Sequence, residues 1–192
     1  MKKLLILLFS LFFLSSHSVF ADDISDFQIE GMSIGDSLLD YFSEDEIINN
    51  IYDAYPNKED STFTTVEIIL KSFKNYDAIQ AMVKENDNKY IAYSMDGMIS
   101  YRNNIEECYS KQNEIVEEFS IIFNNVTIND PGVIKDKIDA GKSTYKGIYF
   151  NFPSGDYIEV VCYDWSKEIG WIDHLRIGLT SNEVSDWISA NN

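Results

Sequence analysis

The sequence predicts an α+β domain in which an antiparallel sheet of about five to six strands carries one long amphipathic helix on one face. Three observations lead to this prediction. Short β-branched and aromatic segments recur, turn residues join neighbouring segments as hairpins, and residues 105–123 have helical periodicity instead. Short helices are expected near both ends. No linker rich in proline, glycine or serine interrupts the chain, so residues 22–192 are expected to form one domain.

The first 21 residues have the pattern of a secretory signal peptide. Two lysines precede an apolar run at residues 4–14, and a small-residue cleavage site ends at Ala21. The run is too short to span a bilayer, which takes about 20 residues, and no cysteine near the cleavage site offers a lipid anchor. We therefore expect an exported protein, periplasmic or extracellular, with no membrane anchor after cleavage.

Two short helices are predicted before the first strand, at residues 34–42 and 44–54. A hydroxyl residue followed three positions later by an acid is the pattern of a capping box, in which both side chains bond helix-end amides. The pattern occurs three times: Ser33 with Asp36, Ser43 with Glu46, and Thr180 with Glu183. The last pair precedes a terminal helix predicted at residues 181–189. Each pair is therefore expected to cap a helix.

The middle of the chain is predicted to form hairpins. Residues 62–70 are rich in β-branched and aromatic side chains, and residues 77–84 and 89–95 flank a polar turn. Asp96-Gly97 is a second turn signal. Residues 98–101 are therefore either another strand or a continuation of the previous strand past a bulge, and the pattern leaves both possibilities open.

The clearest helix signal lies between residues 105 and 123. Six residues there fall on one helical face: Ile105, Cys108, Ile115, Phe119, Ile122 and Phe123. Asn104 can cap this helix. Strands follow at residues 145–152, 157–164 and 174–179, after a polar connector that begins at residues 129–132. The helix is expected to bury its apolar face on the sheet.

The two cysteines outside the signal segment, Cys108 and Cys162, are expected to form a disulfide. Cys108 lies on or beside the apolar stripe of the helix, and Cys162 lies in a predicted strand. Export would place them where disulfides persist. Two buried thiols remain the alternative.

Charge and composition narrow the range of partners. The formal charge is −17 at pH 7, and loss of Lys2 and Lys3 with the signal would make it −19. Such a surface repels nucleic acid and anionic lipid. The acids are spread along the chain, which favours a solvated surface over a cation-binding role. Neither Cys-His zinc spacing nor a calcium-binding loop is present, so no metal or cofactor is expected.

One motif suggests an enzyme. Gly35-Asp36-Ser37-Leu38 spells the block of the GDSL (SGNH) esterases, and Asp173-His174 lies near the end of the chain, as the acid and histidine do in that family. The resemblance implies a nucleophile at Ser37, a base at His174 and an orienting carboxylate at Asp173. However, the family places its acid three positions before the histidine, where Trp171 stands here. Its parallel sheet also differs from the predicted hairpins. The esterase is the alternative hypothesis.

A binding role is the main hypothesis. Residues 164–173 form a predicted loop with Trp165 and Trp171, which are candidates for a binding edge. The Gly31 to Asp36 opening resembles that of β-lactamase inhibitor proteins and outer-membrane-assembly lipoproteins. With the Cys162-Tyr163-Asp164-Trp165 segment, the chain also looks like a family of uncharacterised small exported bacterial proteins. We therefore expect a non-catalytic binding or structural role in the cell envelope, with another envelope protein or a peptide as partner.

Overall fold

The computed structural model describes residues 23–52, 62–102 and 104–190. The signal peptide predicted for residues 1–21 lies outside them. Within the described residues, nine strands form one antiparallel sheet and three α-helices accompany it. The antiparallel sheet of an α+β fold is thus confirmed, whereas five to six strands is too few. None of the described helices is both long and apolar enough to cross a membrane.

The elements are numbered here in chain order. The helices are α1 (Glu44–Asn49), α2 (Ile105–Ile122) and α3 (Asn182–Ala190). The strands are β1 (Ile51–Tyr52), β2 (Phe63–Ile68), β3 (Ala78–Lys84), β4 (Ala92–Ser100), β5 (Thr127–Asn129), β6 (Val133–Lys135), β7 (Thr144–Asn151), β8 (Tyr157–Asp164) and β9 (His174–Thr180).

The sheet is built from two runs of hairpins that meet in its middle. Its strand order is β1-β2-β3-β4-β9-β8-β7-β5, and β6 also pairs with β7. The central joint is the antiparallel pairing of residues 94–100 in β4 with residues 174–180 in β9. This joint brings together strands that are far apart in the sequence, and it places β4, β8 and β9 side by side.

One face of the sheet, which we call the helix face, is covered by α2. The helix lies across β8 and β9, where alternate strand residues point toward it. The buried residues at this contact include Val160, Cys162, Leu175, Ile177 and Leu179 from the strands and Cys108 and Ile115 from the helix. Each fully buried aliphatic side chain of this kind contributes about 1.5–3 kcal/mol.

Two further contacts fasten α2 to the sheet. Cys108 and Cys162 form a disulfide with their Cα atoms 6.0 Å apart, which confirms the predicted pair. One turn along the helix, the fully buried Gln112 donates hydrogen bonds from Nε2 to the backbone carbonyls of Lys146 and Val160, both at 2.7 Å. The helix is therefore held to β7 and β8 by covalent and polar contacts as well as by apolar packing.

On the opposite face, which we call the aromatic face, the helices of the described residues cover one corner. There α3 packs Val184 and Trp187 against Phe63 of β2 and Met82 of β3. A salt bridge of 2.7 Å between Lys84 of β3 and Glu183 of α3 adds a polar contact at this corner. The rest of this face, over β7, β8 and β9, has no helix on it among the described residues, and it includes four tyrosines: Tyr145, Tyr149, Tyr157 and Tyr163.

The helix predicted at residues 34–42 is reduced to a 3-10 turn at Leu38–Asp40. The backbone just before it pairs with the lead-in to β4 instead. Gly35 N–H donates to the carbonyl of Ala92, and Leu38 N–H donates to the carbonyl of Tyr90. Gly35 also has a φ of +92°, outside the helical region. Likewise, α1 ends at Asn49, because the chain then pairs as β1 with β2.

The strand β4 runs straight through Asp96-Gly97. That dipeptide is therefore neither a hairpin turn nor a bulge, and the one irregularity in the β3–β4 pairing lies between Met82 and Val83. At Gly97 the ring of Tyr76 occupies the space that a side chain would need. Gly97 is therefore required because the aromatic ring packs closely against the backbone. The sequence pattern alone cannot distinguish this role of a glycine from its role in a turn.

Candidate functional site

Ser37, the nucleophile of the esterase hypothesis, is engaged in local structure. Its Oγ donates to the carbonyl of Lys89 at 2.5 Å and accepts from the N–H of Leu39 at 3.2 Å. It is the N-cap of the 3-10 turn. The neighbouring Asp36 carboxylate accepts from the N–H of Ser33 and from the hydroxyl of Tyr41. Ser37 therefore acts here as a cap.

His174 lies far from Ser37. Ser37 forms a bridge with Ile91, just before β4 begins, whereas His174 pairs with Ser100, where β4 ends. Nine residues of strand at about 3.3 Å each separate the two positions by roughly 25–30 Å. A serine and its general base must be within hydrogen-bond reach. This structure therefore does not bring Ser37 and His174 together.

Asp173 does not orient His174 either. The carboxylate of Asp173 accepts from the N–H of Trp165 at 2.9 Å. Nδ1 of His174 is 2.8 Å from the carbonyl of Ile172 and 3.4 Å from Nε1 of Trp165. The shorter contact requires Nδ1 to donate, so we assign the proton there. Burial, the largest cause, lowers the pKa of His174, which favours the neutral ring.

The predicted capping pairs are realised to different degrees. Ser43 and Glu46 form a complete capping box at α1. At Ser33 only the acid half is present, because the Ser33 hydroxyl donates to the carbonyl of Phe27. At α3 the capping hydroxyl is Ser181, which accepts from the N–H of Val184 at 3.4 Å. Thr180 is a buried residue of β9 whose hydroxyl contacts Ser94, and Glu183 pairs with Lys84.

Four rings on the aromatic face form what we call the aromatic stack: Tyr163, Trp165, Trp171 and His174. Tyr163 stacks on Trp165, with centroids 5.2 Å apart and planes 9° apart, and on His174 at 4.9 Å. Trp171 stands edge-on to Trp165 at 4.8 Å and is 55% exposed. Both predicted tryptophans thus belong to one cluster, and Trp171 forms its exposed end.

A second feature, which we call the polar row, crosses the same face. Its six residues lie directly opposite one another in successive strands: Glu67, Gln80, Asp96, Gly178, Glu159 and Tyr149. Gln80 donates to Glu67 at 2.6 Å. Directly opposite residues on one sheet face are neighbours. The row therefore places three carboxyl groups on the part of the sheet between α3 and the aromatic stack.

Asp96 and Glu159 meet above Gly178. A methyl group at Gly178 would lie 2.5 Å from Oδ1 of Asp96 and 3.1 Å from Oε1 of Glu159, so the two oxygens are within about 5.6 Å of each other. Glu159 is 7% exposed and forms a 2.5 Å salt bridge with Arg176. The Arg176 guanidinium also lies over the Tyr163 ring. This arginine connects the polar row with the aromatic stack.

The two carboxyl groups differ in their environments. Burial, the largest cause, raises the pKa of Asp96 to about 7, and the charge of Arg176 only partly opposes this rise. No described residue donates a hydrogen bond to the Asp96 carboxyl. Glu159, in contrast, has its ion-pair partner. Asp96 is thus a half-buried carboxyl that changes charge near neutral pH and has no hydrogen-bond donor among the described residues.

The aromatic stack and the polar row together form a surface of the kind that binds a partner through side-chain contacts. The stack offers rigid aromatic surface, and the polar row offers carboxyl oxygens beside it. The part of the chain that the structure describes contains no group of three or more residues able to hold a metal ion. A groove near the β5 edge, lined by Asn124, Asn125, Val126, Thr127, Asn151, Phe152 and Pro153, contains no ionisable side chain. The aromatic face is therefore the stronger candidate.

Sequence reasoning missed the polar row. The dipeptide Asp96-Gly97 has the pattern of a turn, and neither Glu159 nor Arg176 belongs to a recognisable motif. A usable signal was present, because each of the latter two lies between apolar residues in a buried strand: Ile158 and Val160 flank Glu159, and Leu175 and Ile177 flank Arg176. Such alternation places the charged side chains on the face opposite the core.

The chain was compared with protein-family models, with curated proteins and with solved structures, and none of them matches it. The residues of the aromatic face therefore carry the functional interpretation by themselves.

Proposed function

We propose that this protein is an exported, non-catalytic binding protein of the cell envelope, and that the aromatic stack is the surface that meets its partner. The observation that carries the proposal is the exposed Trp171 ring set against the packed rings of Trp165 and Tyr163. Tryptophan and tyrosine are enriched among the residues that dominate binding energy. The partner is another envelope protein or a peptide.

Pre-organisation supports this proposal. Trp165 is fixed between Tyr163 and Trp171, and its backbone N–H is bonded to Asp173. A ring that is already ordered loses little conformational entropy when a partner binds. The stack therefore offers contact area without a large ordering penalty, which is a property of binding surfaces.

The export part of the proposal is supported by the disulfide. A bond between Cys108 and Cys162 is compatible with an oxidising compartment, where such bonds persist. The esterase hypothesis has no comparable support, because Ser37 and His174 lie at opposite ends of β4.

Affinity capture from a cell-envelope extract tests the proposal. Three baits are compared. They are the wild type, the double variant Trp171→Ala/Trp165→Phe, and the matched control Ile121→Ala, which removes an exposed apolar side chain on α2. The wild type and the control should retain the same specific partner, and the tryptophan variant should lose it. Circular dichroism must show all three baits folded. Equal recovery by the three would contradict the proposal.

A further inference from the structure

The aromatic face contains a carboxyl group, that of Asp96, to which no residue in the described part of the chain donates a hydrogen bond. Asp96 lies on β4 between Gln80 of β3 and Gly178 of β9. Glu67 already accepts from Gln80, and Glu159 is paired with Arg176. A half-buried carboxyl that is left without a donor is destabilised in its charged form. A ligand that supplied a positive charge or an N–H group would therefore gain more at Asp96 than at its two neighbours.

The charges around Asp96 favour a cation over an anion. The polar row has three carboxyl groups, and Arg176 offsets only one of them. The whole chain has a formal charge of −17, so its long-range field also attracts positive partners. Charge complementarity on this face thus points to a basic partner.

The distance between Asp96 and the aromatic stack determines how long an extended peptide must be to contact both. Asp96 is opposite Gly178, and Gly178 lies four residues along β9 from His174 in the aromatic stack. Four strand residues correspond to about 13 Å. An extended peptide rises by nearly the same amount for each residue, so two of its side chains about four positions apart would reach both features.

We propose that the aromatic face receives an extended basic segment of the partner polypeptide. A Lys or Arg side chain of this segment lies against the Asp96 carboxyl, and an apolar or aromatic residue about four positions away packs on the aromatic stack. The inference rests on the proposed binding function and names the chemistry of the partner. It goes further in assigning a role to Asp96.

Three short probes test this pairing by NMR titration of the tryptophan indole N–H signals. The first is the capped pentapeptide Lys-Ser-Gly-Ser-Phe, the second replaces Lys by the neutral norleucine, and the third replaces it by Glu. The Lys probe should bind about tenfold more tightly than the norleucine probe, which corresponds to about 1.4 kcal/mol. The Glu probe should bind most weakly.

Variants of the protein show which residue causes the preference for the Lys probe. Asp96→Asn should remove the preference for the Lys probe, whereas the matched control Glu117→Gln, which removes one exposed charge on α2, should keep it. If Glu117→Gln weakens Lys binding as much as Asp96→Asn does, the attraction is unspecific and the inference is wrong. If no probe binds at all, the inference is also wrong. Equal binding of all probes, lost in Trp171→Ala, overturns the cation assignment but leaves the proposed function standing.

The pH dependence gives a second readout. A bound cation favours the charged carboxylate, so Lys-probe affinity should rise between pH 6.5 and 8 in the wild type and stay flat in Asp96→Asn. The ionisable groups that interact electrostatically with Asp96 are Glu159, Arg176, Tyr157 and Tyr163, and Glu67 and His174 lie farther away on the same face. Burial, the largest cause, raises the pKa of both tyrosines and lowers that of His174, which favours their neutral forms. An equal rise in Asp96→Asn would overturn the assignment of the site to Asp96.

Discussion

Asp96 and Glu159 approach Gly178 from the two strands on either side of it, so that a methyl group there would lie 2.5 Å from Oδ1 of Asp96 and 2.9 Å from Cγ of Glu159. Both contacts are closer than a side-chain carbon tolerates. Gly178→Ala is therefore expected to lower the free energy of unfolding by about 1–3 kcal/mol, as overpacking does.

Urea denaturation measures this change, and a second variant assigns its cause. Shortening Asp96 to alanine in the Gly178→Ala background should restore part of the loss, because neighbouring sites are coupled. Strict additivity of the two substitutions would show that the collision with Asp96 is not the source.

Asp96 should also make stability depend on pH. Its pKa is raised to about 7 in the folded protein, with burial as the main cause, and is about 3.9 in an unfolded chain. The folded state therefore binds the proton more tightly, and the stabilisation present below pH 4 is lost as pH rises toward 7. The loss is at most about 1.4 kcal/mol for each pH unit in that interval.

Comparison with Asp96→Asn isolates this contribution. Between pH 5 and pH 8, the free energy of unfolding of the wild type should fall relative to that of the variant. Urea denaturation at each pH measures both values. A difference that is constant across this range would mean that Asp96 titrates normally.

The Cys108–Cys162 disulfide closes a loop with a sequence separation of 54. In the chain-entropy model, a loop of this size stabilises the folded state by about 4 kcal/mol. The double variant Cys108→Ala/Cys162→Ala should lose roughly this amount, and a reducing agent should destabilise the wild type but not the variant. Thermal unfolding with and without reductant checks both statements. Identical midpoints for the oxidised wild type and the variant would contradict them.

Ser37→Ala should affect stability and not catalysis. The hydroxyl caps the 3-10 turn and bonds to the carbonyl of Lys89, and loss of such a cap costs about 1 kcal/mol. Chemical denaturation measures this cost. An assay with a generic ester substrate should give the same rate for both proteins. Hydrolysis by the wild type that disappears in Ser37→Ala would revive the esterase hypothesis.

The elements with strong local patterns were predicted well from the sequence. The apolar stripe of α2 predicts its observed extent, Ile105–Ile122, and the β7–β8 hairpin is where its turn residues indicate. The short strands β5 and β6 were missed. They have only three residues each, and Ile128 and Val133 are exposed, so each strand is too short for a period-two pattern to be recognised in the sequence.

The candidate site could be predicted only in part. Trp165 and Trp171 were recognisable as aromatic residues in a loop, and they do lie together. The polar row depends on the pairing of β4 with β9, which joins residues about 80 positions apart. Local sequence patterns contain no information on that pairing. The same limit applies to Asp96, whose environment is created by Glu159 and Arg176 from other strands.

The covalent bond to α2 ends at Cys162, and the next residue is Tyr163, whose ring points to the other side of the sheet. The strand segment beneath this ring is thereby anchored from the helix face by a crosslink whose two cysteines are fully buried. Thiol chemistry on the far side of the sheet would thus change how firmly the aromatic stack is held, without altering a single solvent-facing atom of that stack.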